Sequence, residues 1–401
     1  MQKPVGNALI GQSGGPTAVI NQSLVGLVET LATDPKVGDV YGAVHGIQGV
    51  LKDKLVDLKR EKRSTLEAVA RTPCAALRSV RKKPTREECE QILAGFRKHH
   101  IRYFFYIGGN DSAETAHILN EIAAADGYDV HLFHVPKTID NDLRGTDHCP
   151  GYGSAAKFVA QAFMGDNQDN RSLPGIKIDV VMGRNAGWLT AASVLARQHE
   201  DDGPHLVYVP ERDFDVGRFA ADVDRVYKER GRCLVALSEG VHGPGGAPLI
   251  RSGETDSHGN VQLSGSGALG DLLAAEIKKQ LGEKLRVRAD TFGYLQRSFA
   301  GLPSEVDAKE ARAVGRFAAN EALKGKVRQG SACILRKKKG DYAVTYAIQE
   351  LAEVAKVTRP LEDRYLLDGN DVAPEFLDYV LPLVGKLPKT ARLSDFAVSS
   401  Y

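Results

Sequence analysis

The chain has 401 residues and is 42% hydrophobic, enough for one large core or two ordinary ones, and two lobes are expected because domains run to about 100–200 residues. Its 53 basic and 51 acidic residues leave a formal net charge of +2, which excludes the overall field of a nucleic-acid or membrane-surface protein and makes any anion site local. Five scattered cysteines (Cys74, Cys89, Cys149, Cys233, Cys333) form no C-x-x-C pair and no even framework, which excludes a zinc knuckle and a disulfide scaffold and fits reduced thiols in the cytoplasm.

The N-terminal stretch MQKPVGNALIGQSGG has too short an apolar run for a signal peptide, and nothing approaches the ~18–20 apolar residues of a membrane span, so a soluble chain is expected. Apolar β-type runs then recur, each closed by a glycine or turn signal and followed by a helix-period stretch: NALIGQSGG, IRYFFYIGGNDS, HLFHVPKTIDND, IKIDVVMGRNAG, HLVYVPER and RCLVALSEGV. That alternation predicts an α/β fold of three-layer, Rossmann-like lobes with mainly parallel sheets. The unbroken run Tyr103 to Ile107 predicts a strand buried on both faces. Gly243 to Gly267 reads as a long exposed loop, and ACILRKKKGDYAVTYAI as a hairpin whose solvated tip spans Arg336 to Asp341.

Glycine is abundant, 41 residues against a usual ~7%, and it clusters just after the strands, where open α/β sheets bind ligands. The first, Gly11-Gln12-Ser13-Gly14-Gly15-Pro16-Thr17-Ala18-Val19-Ile20-Asn21, opens a helix that continues through Leu24 and Val25 and reads either as a tight strand-to-helix turn or as a phosphate cradle. It lacks the Gly-Lys-Ser/Thr of a Walker A loop. In the second, Gly108-Gly109-Asn110-Asp111-Ser112, Asp111 either caps the following helix or faces phosphate through a divalent cation.

Pro136-Lys137-Thr138-Ile139-Asp140-Asn141-Asp142 is the densest polar cluster. Phosphoryl transfer needs a carboxylate for the attacking hydroxyl's proton, cations for the phosphoryl oxygens and donors to fix geometry, and Asp140, Lys137 and Thr138 supply one of each. The alternative is a bare surface turn. Further on, Arg184 in Met182-Gly183-Arg184-Asn185, and Arg288 and Arg297 flanking Gly293-Tyr294-Leu295-Gln296, are placed like anion-binding guanidiniums.

In this order, from Gly11 to about Gly315, the glycine loop, GGNDS, PKTIDND, MGR, SEG and GYLQR resemble the phosphofructokinase family. The resemblance implies two lobes with the active site in the cleft between them. Residues 1–150 plus about 296–345 would form the larger, donor-binding lobe, and 151–295 plus about 346–401 the smaller, sugar-phosphate lobe. It implies Asp140 as the base at the 1-hydroxyl of fructose 6-phosphate, with Lys137, Thr138 and Arg184 beside it. Gly15, Arg81, Asp111 and Lys137 would hold the donor, and Thr138, Asp140, Met182, Gly183, Arg184, Glu239, Arg288, Tyr294 and Arg297 the sugar phosphate. Mg²⁺ would sit on Asp111, Asp142 and Asn110.

Asp111 and Lys137 replace glycines of the ATP-using relatives. A carboxylate there fills the nucleotide's room and a lysine adds a point cation, so both resemble the pyrophosphate-using branch. Pyrophosphate and phosphate differ little in transfer potential, so reaction in both directions is implied. The alternatives are an ATP-dependent enzyme and a non-catalytic regulatory subunit of the same fold. Asn110 departs from the family's metal-binding Asp, and Val25 stands where bacterial ATP-using relatives carry an allosteric arginine. Family members often receive one basic residue across a subunit interface, for which Lys177 is the candidate, and a homodimer or homotetramer is implied. No nucleic-acid or membrane partner is expected, and sedoheptulose 7-phosphate stays open as an acceptor.

Overall fold

A computed structural model describes residues 5–250, 267–337, 340–355 and 357–394. The strands are β1 (Gly6–Gln12), β2 (Val37–Ala43), β3 (Leu55–Asp57), β4 (Ile101–Gly108), β5 (His131–Pro136), β6 (Ile176–Val181), β7 (Leu206–Tyr208), β8 (Cys233–Ser238), β9 (His242–Gly243), β10 (Ala247–Pro248), β11 (Val287–Thr291), β12 (Gln329–Arg336) and β13 (Val344–Gln349). The helices are α1 (Ile20–Leu31), α2 (Ile47–Leu51), α3 (Arg63–Ala70), α4 (Arg86–Lys98), α5 (Asn110–Ala125), α6 (Tyr152–Ser172), α7 (Trp188–Ala191), α8 (Val216–Arg230), α9 (Ala268–Leu281), α10 (Glu305–Lys324), α11 (Leu351–Val354) and α12 (Glu375–Val384).

Among the described residues the strands build two main sheets, one of seven strands ordered β13-β12-β5-β4-β1-β2-β3 and one of four, β11-β6-β8-β7, besides the small antiparallel pair β9–β10. The four-stranded sheet is wholly parallel, and the larger one is parallel except at its two margins, β2–β3 and β12–β13. This is the expected α/β architecture. Phe104, Phe105 and Ile107 of β4 are almost fully buried, as helices on both faces require. The hairpin β12–β13 forms, but Arg336, expected in its solvated tip, is the last residue of β12, paired with Val344 and packed on Tyr379, because the pairing extends further than the charge run suggests; residues 338–339 lie outside the described ones, as do residues 251–266 of the expected long loop. β13 keeps the chain in the larger sheet through Gln349, later than the expected return at about 345, because Cys333 to Arg336 pair with Val344 to Ala347.

Local chemistry sets the helix ends. Thr85 and Glu88 form a reciprocal capping box on α4, Asp215 caps α8, and Ser304 caps α10, while left-handed Gly231 and Gly325 end α8 and α10. α1 and α10 lie against one another where glycines remove the obstacle, since a Cβ on Gly26 or Gly315 would strike the backbone of Arg312 or Ser23. Two apolar clusters cover the larger sheet, one holding Ile10, Leu27, Phe105 and Val314 and the other Leu9, Phe96, Phe104 and Leu132. The smaller sheet has its own pair, with Trp188, Phe163 and Phe376 in one and Ile178, Phe219 and Leu273 in the other. Among the described residues no helix is long and apolar enough to cross a membrane.

Candidate active site

A cleft of about 380 Å³ opens at the carboxyl ends of β1, β4, β5 and β6. Its walls bring together Gly15, Arg81, Asn110, Asp111, Lys137, Thr138, Asp140, Asp142, Met182, Arg184, Glu239, Tyr294 and Arg297. These residues are scattered over some 280 positions of sequence, and each arrives by an identifiable route.

The glycine loop after β1 is stitched to residues 79–80. Gly14 N donates to Val80 O (3.0 Å) and Ser79 Oγ donates to Gly14 O (2.6 Å), which delivers the adjoining Arg81 to the cleft. Gln12 and Asn21 hold the preceding segment, accepting from Leu77 N (2.8 Å) and Ala76 N (2.9 Å). The cradle expected here differs from the sequence reading in one respect. Gly14's amide is taken by Val80, and α1 begins only at Ile20, which does not line the cleft. The helix N-terminus that does face the cleft is that of α5, with Gly109 to Ser112 on the wall and its partial positive charge directed into the cleft, where it favours an anion.

Lys137 follows β5 and is held by its backbone N–H on Gly108 O (2.9 Å). Its side chain is 3% exposed, and a Cβ on Gly14, where φ is 75°, would sit 3.0 Å from the ammonium. Only glycine therefore leaves this cation room against the loop. Burial, reinforced by the positive charge of Arg297, pulls the Lys137 ammonium down to about 8. The Arg297 guanidinium also lies against the glycine loop, 3.3 Å from where a Gly15 Cβ would be, and stacks over Tyr294 at 4.6 Å.

Asp140 and Asp142 stand side by side on the cleft floor. Burial raises the Asp140 carboxyl, while the charges of Arg297, Lys137, Arg184 and Arg81 pull it back. Asp142 is pushed up to about 7 by burial and by Asp140's charge. Thr138 Oγ1 accepts from Asp140 N (3.1 Å), and Thr138 pairs with Gly151 at the start of α6. Beside them Asn110 Nδ2 approaches Asp142 Oδ2 at 3.5 Å, and Asn110 Oδ1 is buried without a hydrogen-bond partner. A raised carboxylate next to an orphaned amide oxygen is a set of hard oxygens that fits a divalent cation such as Mg²⁺. Among the described residues, Asp111, Asp140 and Asp142 do not gather their oxygens within 4.8 Å of one another, so such a cation needs oxygens from a bound phosphate as well.

The loops of the facing wall interlock. Ser238 Oγ donates to Gly183 O (2.6 Å), Gln296 Oε1 accepts from Met182 N (3.2 Å), and Gln296 Nε2 donates to Gly293 O (2.9 Å). Gln296 thus ties MGR to GYLQR, and any side chain on Gly240 of SEG would strike the carbonyl of Arg184. Gly183, with φ 146°, lies between Met182 and Arg184 and shapes the loop rather than lining the cleft itself.

Two expected site residues stand elsewhere. Arg288 does not reach the cleft. It lies exposed on β11, the edge strand, paired in register with Lys177, and donates to Val287 O (3.0 Å); the chain turns toward the cleft only afterwards, at Gly293. Lys177 is ion-paired to Asp290, with Asp166 at 3.7 Å and Asp179 at 3.9 Å, and lines no part of the cleft. Asp166, Asp179 and Asp290 gather their oxygens within 4.8 Å of one another, and Lys177 supplies a cation from the chain itself.

A sequence profile described as phosphofructokinase matches residues 7–322. The chain belongs to the phosphofructokinase family. A protein of Rhodospirillum rubrum named pyrophosphate–fructose 6-phosphate 1-phosphotransferase is 51% identical to it over 400 residues, 98% of each chain. A protein of the same name from Halomonas elongata is 38% identical over 413 residues, 98% of this chain and 97% of its own. The solved structure of a pyrophosphate-dependent phosphofructokinase from Marinobacter aquaeolei is similar at a TM-score of 0.85 and 34% identity, covering 99% of this chain and 98% of that one. For a phosphofructokinase cleft, the sequence reading missed Lys82, Asn185 and Thr358 on the wall. Lys82 and Asn185 adjoin named motif residues and were within reach, whereas Thr358 belongs to a segment without any motif.

Proposed function

We propose that this phosphofructokinase transfers a phosphoryl group from pyrophosphate to the 1-hydroxyl of fructose 6-phosphate, giving fructose 1,6-bisphosphate and phosphate, and that it runs in both directions. The observation that carries the reading is the donor wall: a buried lysine packed against Gly14, with Asp111 in the first turn of α5 on the same cleft. The donor fills the space among Lys137, Arg81, Arg297 and the glycine loop, and Asp111 occupies the volume a nucleoside would need.

Asp140 accepts the proton of the sugar's 1-hydroxyl as that oxygen bonds to phosphorus and the bridging P–O bond of pyrophosphate breaks, its electron pair leaving with phosphate. In the reverse direction the same carboxylic acid returns the proton. A carboxyl raised by burial is a better base than an ordinary aspartate near neutral pH. Lys137, Arg81, Arg184 and Arg297 balance the charge spread over the phosphoryl oxygens, and Thr138 orients the group. Met182, Arg184, Glu239, Tyr294 and Arg297 form the sugar-phosphate wall, and Gly183 shapes the loop that carries the first two. Asn110, Asp111 and Asp142 would hold Mg²⁺, which when bound neutralises phosphate charge.

The donor lobe is that of the seven-stranded sheet, and the sugar-phosphate lobe that of the four-stranded one. We further infer a homodimer or homotetramer acting in the cytoplasm, where the five free cysteines stay reduced. Initial rates with pyrophosphate and with ATP, each against fructose 6-phosphate and sedoheptulose 7-phosphate, test the reaction. Pyrophosphate with fructose 6-phosphate should dominate, and a clear preference for ATP would overturn the donor assignment.

A further inference from the structure

We infer that Arg359, outside every motif of the cleft, is a positioning residue for phosphoryl transfer: it fixes the loop bearing Asp140 and Asp142 and joins that loop to the sugar-side wall. This role rests on the reading of the cleft given above.

The loop from Asp140 to Asp147 belongs to no helix and to no strand of either sheet, so its shape needs outside partners. Asn141, between the two carboxylates, has φ 57°, the left-handed region that asparagine adopts more readily than other side-chain-bearing residues. Its side chain is fully buried, donating to Tyr379 Oη (2.7 Å) and accepting from Cys149 N (3.0 Å), which leaves Asp140 and Asp142 on the cleft.

Arg359 supplies the rest. Its Nη2 donates to Asn141 O (2.9 Å), and its Nη1 donates to Thr146 O (2.9 Å) and Asp147 O (2.8 Å). Its backbone N–H donates to Asp142 O (2.6 Å), next to the antiparallel bridge between Leu143 and Thr358. One residue thus engages four carbonyls at both ends of the loop, a task suited to a planar guanidinium with several fixed donors and unsuited to an ammonium. The same guanidinium lies 4.6 Å from the centre of the Trp188 ring, and Trp188 Nε1 donates to Arg359 O (3.4 Å). Trp188 ends the run Met182-Gly183-Arg184-Asn185-Ala186-Gly187-Trp188, so the base and the sugar-binding arginine share one brace. Thr358 touches the cleft and Arg359 does not, so Arg359 acts through the loop.

The test compares Arg359→Ala, Arg359→Gln and Arg359→Lys with Arg336→Ala in the full chain. Arg336 packs on the same Tyr379 and Asp147, with Nη1 on Tyr379 O (2.9 Å) and Nε 3.2 Å from Asp147, and it has no hydrogen bond to Asn141 or Asp142. A loop displaced by about 1 Å costs about 100-fold in turnover, so Arg359→Ala and Arg359→Gln should lose about 30- to 300-fold in kcat with each KM within about threefold. Arg359→Lys should recover part of that loss, and added guanidinium ion should raise kcat of Arg359→Ala but not of Arg336→Ala. A folded Arg359→Gln with kcat within about threefold of the parent overturns the role, as does a loss that merely follows the drop in melting temperature across both arginine sites. Should Arg359→Ala not fold, Arg359→Lys carries the comparison, and full kcat in that variant overturns the need for a guanidinium. A parent protein without pyrophosphate-dependent turnover overturns the reading of the cleft before any variant is compared.

Discussion

Lys137→Met removes one charge from the cleft while keeping most of the side chain's volume. An ordinary lysine releases its proton near 10.5, and Lys137 does so at about 8, chiefly because burial strips water from the ammonium. At ~1.4 kcal/mol per pH unit, the empty cleft opposes this charge by about 3 kcal/mol, an opposition that a bound polyanion relieves. Removing one partner of a buried ion pair costs about 3–5 kcal/mol, of which the lower end suits a cleft open to solvent. Lys137→Met should therefore lower kcat/KM for pyrophosphate by about 100- to 1,000-fold. The sign of the pH dependence follows: the cationic form that binds the donor is present below about pH 8 and is lost above it. Initial rates of fructose 1,6-bisphosphate formation from about pH 6.5 to 9.5 measure both effects, with pyrophosphate's own titration remaining in the variant as the reference. If Lys137→Met kept kcat/KM within about threefold and the alkaline limb were the same in both proteins, Lys137 would not be a donor ligand.

Asp140→Asn should lower kcat by about 100- to 10,000-fold, with KM for fructose 6-phosphate changed only a few-fold; unaltered turnover refutes its role as base. Gly14→Ala forces a side chain into φ 75° and within 3.0 Å of the Lys137 ammonium, so it should cost about 1–2 kcal/mol in denaturant unfolding and raise KM for pyrophosphate. His148 is buried, which works against its proton, but Asp147 Oδ1 (2.8 Å) and Glu310 Oε2 (2.5 Å) on its two ring nitrogens outweigh burial and raise it. Its contribution to stability is then full below about pH 6.5 and is lost as pH rises through the folded-state value. The melting temperature should fall over that rise, and His148→Asn should flatten the slope.

The sequence revealed the α/β fold because the central strands β1, β4, β5, β6 and β8 are short apolar runs closed by a glycine or turn signal, a pattern that burial on two faces demands. It revealed the cleft residues of GGNDS, PKTIDND, MGR and SEG because each follows on a parallel strand, the first two in the larger sheet and the last two in the smaller, and so lies at a carboxyl end of its sheet. The edge strand β11 broke that rule. Arg288 and Arg297 flank the same tetrapeptide, yet the turn at Gly293 sends only Tyr294 and Arg297 inward, and no local spacing distinguishes the two arginines. The stitching of the glycine loop to residues 79–80 was not legible, because it is a contact across more than sixty positions. Thr358 and Arg359 were illegible for a related reason: they meet their partners across more than two hundred positions, in a stretch with no glycine or carboxylate signature.

That last distance bears on how the protein comes into being. The loop of Asp140 gains Ile334 from β12 through Thr146, then Arg359, then Tyr379 from α12, each emerging from the ribosome well after the aspartates themselves. A nascent or truncated chain ending before residue 357 would display every motif by which the family is recognised and still lack the clasp that shapes its catalytic loop. The clasp thus arrives from sequence far downstream of the aspartates, and because the smaller sheet is inserted between β5 and β12 of the larger one, no single cut would part the two sheets.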